Sequence, residues 1–260
     1  MATFLRNEYI FGPIISRRLG RSLGVNITPL NRKVCSFNCI YCECGWNALA
    51  SSANNFPTRE EIKLALEDKL KEMKQEEQDF DSITFSGNGE PTLHPDFHNI
   101  IDDTIEIRNK LFPNVKITVL SNSTNLHKDS VVSALKKIEN PILKIDSANI
   151  ETLRKINQPT SKTFSIEKIV SGMKQFDGDF IMQTMFLKGE HNGNFIDNTS
   201  EEEVNGLIEV MRETRPRLIM IYPIDRETPA QSLVKLDKVE MLRLENMISK
   251  AGFNVVASGT

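Results

Sequence analysis

Cys35-Ser-Phe-Asn-Cys39-Ile-Tyr-Cys42-Glu-Cys44 contains every cysteine of the chain, and three of them follow the spacing C-x3-C-x2-C. Soft thiolates grouped this closely select zinc, copper(I) or an iron–sulfur cluster. A structural zinc site is normally built from two C-x2-C knuckles, or from Cys with His, separated by a finger-length insert. No such second half follows in this sequence. A four-iron cluster usually takes four cysteines, so a clamp of three leaves one iron open to a substrate-like ligand. The spacing therefore points to chemistry at the metal rather than to a structural staple. Cys44 lies outside the spacing and reads as a free thiol beside the site, with a ligand role as the alternative.

Working outward, the 260 residues, 39% of them hydrophobic, suffice for one sizeable core. Lys and Arg number 32 against 35 acids, a net charge of −3, which argues against a broad basic face for nucleic acid while allowing a local patch. The first ten residues carry Arg6, Asn7 and Glu8 and lack the apolar core of a signal peptide. No run approaches the roughly 20 apolar residues of a membrane span. Clustered cysteines with none elsewhere fit a reducing interior, and the expected location is the cytoplasm.

Residues 1–22 read as an N-terminal leader broken at Gly12-Pro13 and carrying Arg6, Arg17, Arg18 and Arg21. The arginines are candidates for a phosphate or substrate contact near a barrel mouth; a solvated hairpin is the plainer account. Residues 23–260 read as a single domain of alternating strands and helices. Strands are expected at 23–28, 82–86, 116–121, 142–145, 180–187 and 218–224, with a last short one within 253–257. Helices are expected at 58–75, 96–111, 130–138, 165–176 and 237–250, and one more opens at Ser200. Thr58-x-x-Glu61 and Ser200-x-x-Glu203 are capping boxes. Six βα units in succession predict a parallel sheet with right-handed crossovers, and a partial (β/α)6 TIM-type barrel is the simplest α/β architecture. The segments 47–55 and 189–198 are expected to be the mobile loops.

Side chains alternate along a strand, so the apolar set that faces the helices fixes which residues face the interior. Val25, Ile27, Ile83, Phe85, Ile117, Val119, Leu143 and Ile145 form the outward set. Asn26, Thr28, Thr84, Ser86, Thr118, Leu120, Asn122, Lys144 and Asp146 then point inward. A Lys and an Asp two residues apart inside a barrel are costly to bury unless paired or bound to a ligand. Gln183 interrupts an apolar strand, and Tyr222-Pro223-Ile224-Asp225-Arg226 closes the sixth. In α/β barrels the working residues come from these strand ends, which makes Lys144, Asp146, Asp225 and Arg226 the catalytic candidates. His94 and His98 could form a helical metal pair, but Pro95 and the lack of a third ligand favour capping or surface roles.

Gly87-Asn88-Gly89-Glu90-Pro91 follows the second expected strand. It lacks the register of G-x-G-x-x-G, and no Gly-Lys-Ser/Thr follows, so it is a poor phosphate loop. Together with C-x3-C-x2-C, whose third cysteine is preceded by Tyr41, it resembles the radical S-adenosylmethionine (SAM) superfamily. Asn88 stands where that family's "GGEP" element usually has its first glycine. The resemblance implies a [4Fe–4S] cluster on Cys35, Cys39 and Cys42, with SAM held by Gly87, Asn88, Gly89 and Glu90 at its methionine amino group. It implies Ser121 and Asn122 at the ribose or the methionine carboxylate, and Asp146 and Gln183 near the sugar or the substrate. Tyr41, Tyr222 and Pro223 would lie near the adenine. The implied reaction is reductive cleavage of SAM to a 5′-deoxyadenosyl radical that abstracts hydrogen from a substrate, with a flavodoxin or ferredoxin as low-potential electron donor. Phe11-Gly-Pro, Ser16-Arg-Arg-Leu-Gly, Phe85-Ser-Gly-x-Gly-Glu-Pro-Thr and Lys144-Ile-Asp146-Ser are most similar to the wyosine-synthase-like Fe–S oxidoreductases, which makes a tRNA base a candidate substrate. An activase acting on a partner protein and a non-catalytic Fe–S or zinc module are the alternatives. The module leaves Gly87–Pro91 and the interior Lys144 and Asp146 unexplained.

Overall fold

The computed structural model describes residues 4–16, 19–47 and 55–258. In chain order its elements are β1 (Ile10–Ser16), β2 (Gly20–Val25), α1 (Arg59–Gln75), β3 (Ser82–Phe85), α2 (Phe97–Leu111), β4 (Lys116–Ser121), α3 (Asp129–Leu135), β5 (Asn140–Lys144), α4 (Ile150–Asn157) and α5 (Ile166–Lys174). There follow β6 (Ile181–Phe186), β7 (Lys188–His191), β8 (Asn194–Asp197), α6 (Glu201–Thr214), β9 (Leu218–Pro223), β10 (Ser232–Val234), α7 (Lys238–Lys250) and β11 (Val255–Ala257). The main sheet has the order β1-β2-β3-β4-β5-β6-β9-β11. All of its neighbours are parallel except β1, which returns antiparallel along β2. Helices on the outer face and a curled parallel sheet make the partial TIM-type barrel expected from the βα alternation.

The alternation explains how the sheet is filled. Leu23, Val25, Ile83, Phe85, Ile117, Val119, Leu143 and Ile145 are buried in the main core, with Ile62, Leu66, Leu70 and Met73 of α1 beside them. The inner face is polar at its lower level. The Ser22 hydroxyl donates to Thr84 (2.6 Å), Ser82 and Thr118 share a hydrogen bond (2.8 Å), and Asn140 donates to Thr118 (3.2 Å). A small apolar cluster of Ile142, Ile181 and Met220, with Leu120 and Leu218 against it, fills the space beside them.

Thr58 and Glu61 form the expected reciprocal capping box. At α6 only half of the box forms: Ser200 accepts from the Glu203 N–H (3.3 Å). The Glu203 carboxylate instead accepts from Ser147 and Thr152, each at 2.6 Å, and so ties α6 to the segment after β5. Two features go beyond the expected pattern. One is α4. The other is a second sheet of order β10-β7-β8, built in part from residues 189–198, where a mobile loop is expected. Its turn carries Asn192 (φ 50°) and Gly193 (φ 73°), the positive-φ pair that closes a tight hairpin. The first barrel strand begins at Gly20 and pairs with residues 10–16 as a hairpin. The leader thus takes its plainer reading, a hairpin, and Arg21 sits at the bottom of the barrel beside Asp79, Asp81 and Phe112 rather than at a substrate contact near the mouth. Arg17 and Arg18 lie outside the described residues, as does most of 47–55.

Candidate active site

The cysteine loop leaves the top of β2 and is clamped from two sides. Val34 and Gly89 form a parallel bridge: Val34 N–H donates to Asn88 O (2.9 Å) and Glu90 N–H to Val34 O (3.0 Å). On the far side Asn38 N–H donates to Asn157 O (2.8 Å), Ile40 N–H to Ile156 O (3.0 Å), and Thr160 N–H to Ser36 O (2.9 Å). The loop is thus held between the G-x-G-E-P turn and the end of α4. The clamp demands glycine at position 89. Its φ is 150°, and a Cβ there would fall 1.8 Å from Val34 O, a backbone atom that cannot yield without breaking the bridge. We expect Gly89→Ala to break the Val34–Gly89 bridge and lower the melting temperature by several degrees, read in a thermal scan beside the wild type.

Each thiol of the C-x3-C-x2-C set has polar neighbours aimed at it. Cys35 Sγ accepts from Phe37 N–H and from Asn122 Nδ2, both at 3.4 Å. Cys39 Sγ accepts from Asn157 Nδ2 at 3.3 Å and lies 3.8 Å from Lys144 Nζ. Cys42 lies against Cys44 and the buried Lys33 ammonium; the Cys44 hydrogen bond, against burial and aided by Lys33, lowers its pKa to about 6. Burial and the Glu90 carboxylate push Cys35 up to about 12, and burial raises Cys39 as well. Cys44 turns its thiol to the Gly87 carbonyl (3.3 Å). Among the described residues no group of three or more His, Cys, Asp or Glu is gathered as for a single metal ion.

These residues fit an iron–sulfur cluster. Soft donors from one loop would provide the ligands, and the buried Lys33 and part-buried Lys144 ammonium groups would offset the charge of three thiolates. Hydrogen bonds from Asn122, Asn157 and Phe37 N–H to sulfur are of the kind that tunes cluster potential. Lys33 and Asn157 are not among the residues singled out from the sequence. Lys33 sits two positions before Cys35, the one hint available; Asn157 closes the unforeseen helix α4.

Glu90 is 2% exposed, and its carboxylate is fully engaged within the chain. It accepts from Thr92 N–H (3.2 Å), Thr92 Oγ1 (2.6 Å), Ser121 Oγ (2.9 Å) and Asn122 N–H (2.7 Å). Glu90 and Ser121 therefore brace the G-x-G-E-P turn against the end of β4. Asn122 reaches back to the cysteine loop, donating also to Ser36 Oγ (2.9 Å). Asn88, in the place of the usual glycine, grips the N-terminal segment: Nδ2 donates to Arg6 O (2.8 Å) and Oδ1 accepts from Arg6 N–H (2.7 Å).

Lys144 and Asp146 come together as the interior pair their spacing predicts. Asp146, fully buried, accepts from Lys144 Nζ (2.8 Å), Tyr41 OH (2.5 Å), Asn157 Nδ2 (2.6 Å) and Met185 N–H (3.0 Å). Burial alone would lower the Lys144 pKa, but Asp146 and the Cys39 sulfur hold it above the ordinary value, so the ammonium stays charged. Gln183 donates to Tyr222 OH (2.7 Å), and its buried Oε1 has no partner among the described residues. Pro223 pairs with Phe186 at the end of β9. Asp225 and Arg226 stand apart on the outer rim, Asp225 with Lys235 (3.1 Å) and Arg226 with Glu43 (2.6 Å). His94 accepts from Asp96 N–H and lies 2.7 Å from Pro57 O, pinning a turn as expected.

Residues 33–197 match the family model described as the radical SAM superfamily. The chain belongs to that superfamily. Its cofactors are accordingly a [4Fe–4S] cluster and SAM. The radical SAM chain is 30% identical over 243 residues to a Brachyspira hyodysenteriae protein named GTPase Obg, covering 91% of this chain but 33% of that protein. It is 26% identical to a UPF0026 protein of Helicobacter pylori J99, over 90% of this chain and 71% of the relative. The chain thus spans a third of the first relative's length, and that relative's name describes a longer protein. Among solved structures it is similar to a radical SAM methyltransferase from Sphaerobacter thermophilus (TM-score 0.65, 13% identity, 91% of this chain and 65% of that one). It is also similar to TYW1 with a lysine-pyruvate adduct bound (TM-score 0.59, 16% identity, 89% and 74%). At these identities the likeness is one of fold.

Proposed function

We propose that Cys35, Cys39 and Cys42 hold the cluster, that SAM binds at its remaining iron, and that the enzyme abstracts hydrogen from a base of tRNA. The single observation that carries the catalytic part is the joining of the three-thiol loop to the Gly87–Pro91 turn by the Val34–Gly89 bridge and its two hydrogen bonds, with Lys33 and Lys144 packed beside the thiols. When bound, the cluster and SAM supply a one-electron reductive cleavage that yields a hydrogen-abstracting carbon radical. The chain's own residues bind, orient and exclude water. Glu90 fixes the turn that meets the methionine end, and Asn122 couples β4 to the cysteine loop. The Lys144–Asp146 pair, with Tyr41 and Asn157 on the same carboxylate, locks the floor of the site against Cys39. A non-catalytic module has no use for these braces. The proposal includes a flavodoxin- or ferredoxin-type donor and a cytoplasmic setting. Among the described residues no helix is long and apolar enough to cross a membrane.

The short wyosine-synthase-like stretches support the tRNA assignment, and the likeness to TYW1 agrees in fold. A net charge of −3 limits the number of phosphate contacts, so counterion release predicts a shallow dependence of affinity on salt. Anisotropy titrations with bulk tRNA at about 50 and about 200 mM salt should show modest binding that weakens by less than the roughly 10³-fold loss of a protein making many phosphate contacts. Absence of binding at the lower salt would exclude tRNA and leave a small molecule or a partner protein as substrate.

A further inference from the structure

Lys33 precedes the cysteine stretch, and its side chain returns to the far end of it. The ammonium donates to the carbonyl of Gly45 (2.9 Å), so one hydrogen bond joins the residues that flank Cys35–Cys44. Lys33 is 4% exposed. Among the described residues no carboxylate pairs with it, and the charged groups that bear on it most are the thiols of Cys42, Cys35 and Cys39. A lysine charge buried without a counter-charge is costly, and this one faces the three thiols assigned to the cluster.

The other charges around these thiols are already matched or carry no positive charge. Lys144, beside Cys39, is paired with Asp146 (2.8 Å). Glu90 acts on Cys35, and its carboxylate accepts only from the neutral donors Thr92, Ser121 and Asn122. Glu43 and Arg6 act on Cys44, outside the ligand set, and Glu43 is held by Arg226. We infer that Lys33 is a positioning residue for the electron-transfer step: its ammonium is the counter-charge of the cluster on the Cys42 side and raises the potential at which the cluster accepts an electron. This role rests on the cluster assignment proposed above and extends it from ligands to potential. A thiolate-bound cluster becomes more negative by one charge on reduction, and a fixed cation close by in a site of low dielectric favours that step. The Gly45 hydrogen bond holds the ammonium in place for it. The electron comes from the low-potential carrier included in the same proposal, the cluster is its one-electron acceptor, and no covalent bond of the chain changes.

Potentiometric titration of the reconstituted protein, followed by the EPR signal of the reduced cluster, is the test. Lys33→Gln keeps a donor for Gly45 and removes the charge, Lys33→Met removes both, and Lys33→Arg keeps the charge. At equal iron and sulfide, the Gln and Met variants should shift the ratio of oxidised to reduced cluster at least tenfold toward oxidised, a fall of about 59 mV for one electron. Lys33→Arg should restore most of it. Lys137→Gln, at an exposed pair with Asp102, should leave the potential unchanged. A full cluster at the wild-type potential in both Lys33→Gln and Lys33→Met overturns the inference and leaves Lys33 as a tie within the loop. Where those two variants take up no cluster, the cluster-free proteins decide. Melting with the wild type, together with uptake restored in Lys33→Arg, upholds the counter-charge. Uptake lost in all three, or melting several degrees lower, makes Lys33 a structural tie and overturns it. A wild-type protein that binds no iron removes the cluster assignment itself, whereas a loaded cluster at an unshifted potential removes only the role of Lys33.

Discussion

Replacing Cys35, Cys39 or Cys42 by serine is expected to abolish iron binding, while Cys44→Ala retains the full complement of iron and sulfide. The three thiols are the ones that receive hydrogen bonds or a lysine from outside their own turn: Cys35 from Asn122, Cys39 from Asn157 and Lys144, Cys42 from Lys33. Cys44 lies against Cys42 within the same turn, with its thiol 3.3 Å from the Gly87 carbonyl. Loss of a neighbour that merely orients a ligand costs roughly 10–100-fold in metal affinity, and loss of a ligand in this closed loop should exceed that. Iron and sulfide analysis after anaerobic reconstitution measures the outcome. Asn157→Ala should fall in the intermediate range, retaining cluster but binding it more weakly.

The second large effect is on stability. Asp146→Ala leaves the Lys144 ammonium buried without its counter-charge and takes the acceptor from Tyr41, Asn157 and Met185 N–H. Breaking a buried pair by removing one partner costs about 3–5 kcal/mol, which for a chain of this size lowers the melting temperature by about 10 °C. The charge-neutral pair Lys144→Met with Asp146→Asn should recover much of the loss, because no uncompensated charge remains. Chemical denaturation of the two variants beside the wild type separates these cases. A small loss in Asp146→Ala, below about 1 kcal/mol, would show that Lys144 reaches solvent or another anion, and would remove the pair from its bracing role.

Most of the barrel was legible because its signals are local. Alternation in residues 82–85 and 116–121 sets which side chains face the interior, and Thr58 and Glu61 set where α1 begins. Cysteine spacing alone is enough to suggest the cluster. The unforeseen parts have physical reasons. Helix α4 has eight residues and opens at Asn149 with Thr152, not Glu or Gln, at the reciprocal position, so it lacks a capping-box signature; yet its last residue reaches both Cys39 and Asp146. The small sheet did carry a signal in Asn192-Gly193, outweighed by the polar composition around it. The roles of Glu90, Asn88 and Lys33 depend on partners roughly 10–80 positions away along the chain, and no periodicity encodes such contacts. A mouth contact for Arg21 fails because β2 begins three residues before the expected strand, which carries that side chain to the opposite end of the barrel from Arg6.

The most direct test of the account is single-turnover formation of 5′-deoxyadenosine and methionine. Anaerobically reconstituted protein is mixed with dithionite and SAM, and the products are separated by chromatography. The account predicts both products in equal amounts from the wild type, and neither from Cys39→Ser. A wild-type protein that carries its full iron and sulfide, binds SAM and still forms no 5′-deoxyadenosine would contradict it.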